Sequence, residues 1–208
     1  MSTKILSSIA ASCFVMLTLS ANAEASTIYK KISYYTISGT TPAQLDKALT
    51  HKGPYVKNTG LHHPGATTIS FKPQLKLIKQ GDYCKVAEVQ VDVYAKMSLP
   101  RWKQRSTTKS MEMALIWDTL SRDIKRHEES HIVIARAHAS KIERAVRQLP
   151  AQKDCDTLRK NIEQTSAKIL QSHEDAQRHF DKVEAINFEQ RFTNLLITRI
   201  KQLKDQTK

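Results

Sequence analysis

The chain has no run of roughly 20 apolar residues, no CxxC pair and no arginine-rich tail. The first absence excludes a retained membrane span, because the longest apolar stretch falls short of a bilayer. The second removes a redox pair or thiolate zinc site from consideration. The third, together with the lack of any strip that interleaves basic and aromatic residues, leaves no nucleic-acid partner expected. Cysteine is scarce too, with three residues in 208.

The apolar stretch that does exist reads as an address. MSTKILSSIAASCFVMLTLSANA carries Lys4, an apolar run through Val15, Met16 and Leu17, and the small-x-small step Ala21-Asn22-Ala23. A cleaved signal over residues 1–23 and a periplasmic or secreted mature chain from Glu24 are expected. The apolar run continues past Cys13, which argues against a lipid anchor on that cysteine. About 185 residues then remain, enough for one domain, strand-rich over 24–100 and helical over 101–208. The formal charge of +13 loses one lysine with the leader and becomes +12. Such a surface suits an anionic wall or envelope polymer, although the charge is spread along helices and identifies no partner. Only Cys84 and Cys155 survive cleavage, and in an oxidising compartment two cysteines most simply pair.

The order of patterns indicates an α+β fold: a small N-terminal antiparallel sheet with a short helix, then a long antiparallel helical hairpin. TIYKKISYYTISG, ATTISFKPQLKLI and CKVAEVQVDVYAKMSL are strand candidates rich in β-branched residues, the second interrupted by Pro73. Thr41-Pro42-Ala43-Gln44 is a capping signature for a short helix to about Thr50, and residues 53–65 read as loop. From Ser110 to Leu149, apolar residues and two histidines recur at three- and four-residue intervals, which predicts a long helix ending before Pro150. A second long helix is expected from about Asp156 to Lys204, lying antiparallel to the first.

The first long helix contains His127-Glu128-Glu129-Ser130-His131, a match to H-E-x-x-H. Helical residues four apart stand one above the other, so both imidazoles can reach one Zn2+ ion. Glu128 projects beside them as the base that takes a proton from zinc-bound water attacking a peptide carbonyl. On a purely structural reading the histidines need other partners, because they lie on the apolar stripe. His138 cannot join His127, from which it stands eleven residues away, about 16 Å along the axis at 1.5 Å per residue. The metzincin arrangement, glycine then histidine after the second motif histidine, is excluded by Ile134 and Ala137.

A third ligand should therefore come from the facing helix. Equal counts from the helix ends place residues near 175 opposite the motif, and His173 on the apolar stripe is favoured, with Glu174, Asp181 and Glu184 as alternatives. His62-His63 could supply a further ligand or a substrate contact.

The ordered set YYTISGTT, Cys84 in a valine-rich strand, Leu99-Pro100-Arg101-Trp102, HEESH, Cys155 and Phe180-Asp181 resembles a bacterial family of unknown function described as predicted secreted zinc-dependent proteases. The resemblance covers nearly all of the mature chain. It implies zinc at His127 and His131, Glu128 as base, a Cys84–Cys155 bridge and a protein or peptide substrate. Members of that family tend to carry a threonine and then His-Gly after the aromatic-Asp pair, whereas this chain reads Lys182-Val183-Glu184-Ala185-Ile186-Asn187. A site that uses that later histidine would be completed differently here. Two functions follow as expectations: a zinc metallopeptidase, or a non-catalytic exported binding protein with a structural metal or histidine site and basic helices.

Overall fold

A computed structural model describes residues 26–57 and 59–206, so the leader reading lies outside the described residues. The order is β1 (Ile28–Ile37), α1 (Pro42–Lys52), β2 (Tyr55–Val56), β3 (Leu61–His62), β4 (Ala66–Gln80), β5 (Tyr83–Trp102), α2 (Met111–Arg147), α3 (Cys155–Ile186) and α4 (Phe188–Gln206). The α+β class is thus the one expected. Among the described residues no helix is long and apolar enough to cross a membrane.

Local chemistry places the helix starts. Thr41 accepts from the Gln44 N–H at 3.3 Å, Ser110 from Met113 at 3.1 Å and Asp154 from Thr157 at 2.6 Å, each satisfying an otherwise orphaned amide. Gln44 reaches back to the Thr40 amide rather than to the cap residue itself.

The main sheet has the order β1-β5-β4. β4 and β5 form the expected antiparallel pair, but β1 runs parallel to β5, from Ile28 beside Val93 to Ile37 beside Trp102. Alternation in a strand fixes which residues face inward, not the direction of its neighbour. β4 also continues through Pro73, and residues 53–65 contain the small β2–β3 antiparallel pair where loop was expected.

α2 lies across the inward face of β5. Ala135 and Ala139 are fully buried against Val89, Val91 and Val93, and their small side chains let the helix axis approach the sheet. Further along, Ile124 and Ile132 meet Ala95, Met97 and Leu99, while Trp117 and Met113 close against Trp102, Ile37 and α1. The other side of α2 receives α3 and α4.

The second long helix is broken at Asn187. The Asn187 side chain donates to the Val183 carbonyl at 2.8 Å, the acceptor that its own backbone N–H also uses. Such local side-chain bonding competes with helix continuation. The apolar stripe changes face across the break: Leu158, Ile162, Ile169, Ala176, Phe180 and Val183 share one face, whereas Phe188, Phe192, Leu195 and Leu203 fall on another, roughly a third of a turn round. Helical composition continues on both sides, so a single helix was expected.

Cys84, at the start of β5, is bonded to Cys155, the first residue of α3, across a sequence separation of 71. Cys84 also exchanges two backbone hydrogen bonds with Gln152, at 2.7 and 2.9 Å. Cys84→Ser is expected to lower unfolding stability by about 2 to 5 kcal/mol. Denaturant melts of the oxidised wild type, reduced wild type and variant check this, and superimposable curves would remove the bridge from the stability account.

Candidate metal centre

The motif histidines stand on the α2 face that meets α3. His127 Nε2 and His131 Nε2 lie 3.2 Å apart, and Asp181 Oδ1 lies 3.3 Å from the first and 3.1 Å from the second. These three groups form a candidate metal-holding set. Phe180 packs over the pair, stacked on His127 and edge-on to His131. Burial opposes charge on Asp181, but hydrogen bonds from both histidines outweigh it and hold the carboxyl well below its usual range. Burial likewise opposes charge on His131, and Asp181 with Gln177 overcomes it and raises its pKa. The donor chemistry, two imidazoles and an ionised carboxylate, fits a borderline divalent ion.

The favoured third ligand, His173, is not brought to this group. Its ring is buried about two turns from Asp181 along α3, edge-on to Phe71 and near His138, with its Nε2 bonded to Gln177 at 2.8 Å. Its Nδ1 has no hydrogen-bond partner, and Glu174 Oε1 stands 3.5 Å off. The cause is axial offset. His131 faces Gln177, so α3 overhangs the end of α2 by about six residues, roughly 9 Å. The connection first runs out to pair with Cys84, and equal counting from the helix ends missed that detour.

Gln177 matters more than its residue type suggests. Its Nε2 donates to the His131 backbone carbonyl at 3.1 Å, and a carbonyl can only accept, so the amide has one orientation. Gln177 Oε1 then faces His131 Nδ1 at 2.6 Å, and that nitrogen must carry a hydrogen. The lone pair of neutral His131 is thereby assigned to Nε2, on the side of His127 and Asp181. Gln177→Leu is expected to weaken zinc binding about 10- to 100-fold, as measured by competition with a chromogenic chelator. Unchanged affinity would show that packing alone orients the ring.

Glu184 backs the other histidine, with Oε2 3.5 Å from His127 Nδ1. Arg126 and Arg191 bind the Glu184 carboxylate, and both also bond the buried Asp123. This network ties α2, α3 and the start of α4 together beside the histidines.

Glu128 turns from the histidine pair toward β4. The Thr67 hydroxyl bonds its Oε2 at 2.8 Å, and the side chain is buried. Burial pushes its carboxyl up, and the Thr67 bond with the nearby histidines pulls it partly back. Gly65 lets the loop close over this carboxylate, because an added Cβ would stand 2.6 Å from Glu128 Oε1 and 2.9 Å from Ile124 Cγ2. Tyr35 donates to the Pro64 carbonyl at 2.7 Å and fixes the same loop; burial, then the charge of Glu128, keeps its phenol protonated.

His62, His63 and His138 are engaged elsewhere. His62 Nδ1 is 2.6 Å from the Gly53 carbonyl, and His63 Nε2 is 2.7 Å from the Thr59 hydroxyl. His63 stays close enough to sense Asp181 and His127, although burial dominates and lowers its pKa. His138 bonds the Ile134 carbonyl of its own helix. Gln177, Thr67 and Gly65 were not singled out by sequence; only the four-residue spacing of Gln177 and Asp181 on one helix face could have flagged the first.

No curated protein and no solved structure matches the chain. A family model described as "Bacterial protein of unknown function (DUF922)" matches residues 32–189, a span holding every residue of the centre. With more than half of its length matched, the chain belongs to this bacterial family of unknown function.

Proposed function

We propose that the protein is an exported zinc-dependent hydrolase of peptide bonds, in which His127, His131 and Asp181 hold the ion and Glu128 is the general base. The observation that carries this reading is the near-equilateral set of ligand atoms, 3.1 to 3.3 Å on each side. A tetrahedral ion with bonds of about 2.0 to 2.1 Å spaces its ligands roughly 3.3 to 3.4 Å apart, and three protein ligands is the number used by catalytic zinc. Bound zinc would supply acidification of water and polarisation of a carbonyl. The chain supplies the rest. Gln177 presents the His131 lone pair, Asp181 brings negative charge, and Glu128, whose carboxyl burial pushes up from its ordinary value, is a stronger base than a free carboxylate.

The Cys84–Cys155 bridge supports a periplasmic or extracellular location, where such bonds persist. One observation favours a second reading, a structural metal in a binding protein: Glu128 is only 4% exposed and tied to β4. Zinc per chain in purified protein, and hydrolysis of a quenched-fluorescent peptide mixture before and after Glu128→Gln, separate the two. Bound zinc without Glu128-dependent hydrolysis favours the structural metal. No zinc, and unchanged folding after His131→Ala, removes the metal altogether.

A further inference from the structure

We propose that the outer edge of β4 over Thr67–Phe71 is a docking site for an extended polypeptide segment, which pairs with it as an added strand. The proposal rests on the hydrolase reading and gives it a substrate class: unfolded or extended chain rather than a compact surface.

The direction of each backbone group follows from β5. Val91 N–H donates to Glu143 Oε1 at 2.7 Å and Val93 N–H to the Thr27 carbonyl at 2.8 Å, both on the side away from β4. The Met97 carbonyl, which accepts from Ser33, points the same way. Odd-numbered residues of this part of β5 thus turn their backbone groups toward β1, and even-numbered ones turn theirs toward β4. In the antiparallel register Thr68 lies opposite Lys96, Ser70 opposite Tyr94 and Lys72 opposite Asp92, so these β4 residues take the inward bonds. Thr67, Ile69 and Phe71 consequently present N–H and C=O outward, and among the described residues nothing bonds them. Pro73 falls in the same outward phase, which is why β4 passes through it unbroken.

Exposed edges invite pairing, and proteins blunt them with lysine and proline. On β4 those devices begin at Lys72-Pro73 and continue with Lys76 and Lys79, while Thr67-Thr68-Ile69-Ser70-Phe71 carries no charge. The unblunted stretch also starts beside the candidate site, since the Thr67 hydroxyl holds Glu128. A segment paired here would gain up to six main-chain hydrogen bonds from three residues, with little demand on its side chains.

The test uses zinc-loaded Glu128→Gln protein and a peptic digest of casein, with amide exchange followed by NMR. Exchange at Thr67, Ile69 and Phe71 is expected to slow at least about tenfold while Thr68, Ser70 and Lys72, already bonded to β5, stay unchanged. No slowing at the three outward amides overturns the proposal, as does slowing confined to β1 or α4. If the wild type hydrolyses the digest without this protection, the docking site fails and the hydrolase stands; with protection but no hydrolysis, the docking site stands and the hydrolase fails. Ile69→Pro, which deletes one outward N–H, is expected to raise KM about three- to tenfold with kcat and zinc content unchanged. Ser70→Pro breaks an inward bond and reports the effect of damage to the sheet; an unchanged KM in Ile69→Pro also counts against the site.

Discussion

Asp181→Ala is expected to give a folded protein that no longer retains stoichiometric zinc, whereas His173→Ala retains zinc but is less stable. The two residues share a helix face and differ in what surrounds them. The Asp181 side chain is 52% exposed and its carboxylate oxygen reaches both motif histidines, so truncation costs little packing and removes one of the three proposed ligand atoms. His173 is 3% exposed against Phe71, so its truncation leaves a cavity of the kind that costs about 1 to 3 kcal/mol, and Gln177 keeps its bond to the His131 carbonyl. Metal analysis of dialysed protein and thermal melts read the two effects separately. Zinc kept by Asp181→Ala and lost by His173→Ala would reinstate His173 as the ligand.

Glu128→Gln carries the other large effect: a fall in peptide hydrolysis of about 10²- to 10⁴-fold with zinc content unchanged. Glutamine has the same shape, and the Thr67 hydroxyl that donates to Oε2 can donate equally to an amide oxygen. Replacing a buried carboxylate whose pKa burial already raises should not unfold the protein. What is lost is the ability to accept a proton. A rate within a few-fold of wild type would move the base elsewhere, and loss of zinc would show that Glu128 shapes the centre instead.

The motif was legible because its geometry is local. A four-residue spacing within one helix places two imidazoles together whatever the rest of the chain does. The stripe on the facing helix was legible for a similar reason, and His173 does lie on it, buried as apolar periodicity implies. The turn of that stripe which meets the motif was not, because it depends on a connection that leaves the helical hairpin to pair with Cys84. Gln177 escaped notice because a glutamine announces no chemistry until the carbonyl that orients it is known. The parallel β1–β5 pairing was hidden for the same kind of reason: alternation marks faces, while partner and direction are properties of the whole chain. The break at Asn187 was legible in principle, because the apolar face shifts between Val183 and Phe188, but an apolar pattern followed only as far as Val183 does not reveal the shift.

The bond between Cys84 and Cys155 also divides the chain by its tolerance of length change. α3 is pegged at its first residue, so the residue that meets His127 is set by counting along the helix from Cys155. Adding four residues between Cys155 and Asp181 would present Gln177 in place of the carboxylate, and removing four would present Ala185. Both lie on the same helix face, so the core pattern would survive while the third proposed ligand vanished. Insertions between Leu149 and Lys153 lie outside that count, and homologous chains are expected to vary in length there and not along the following 26 residues.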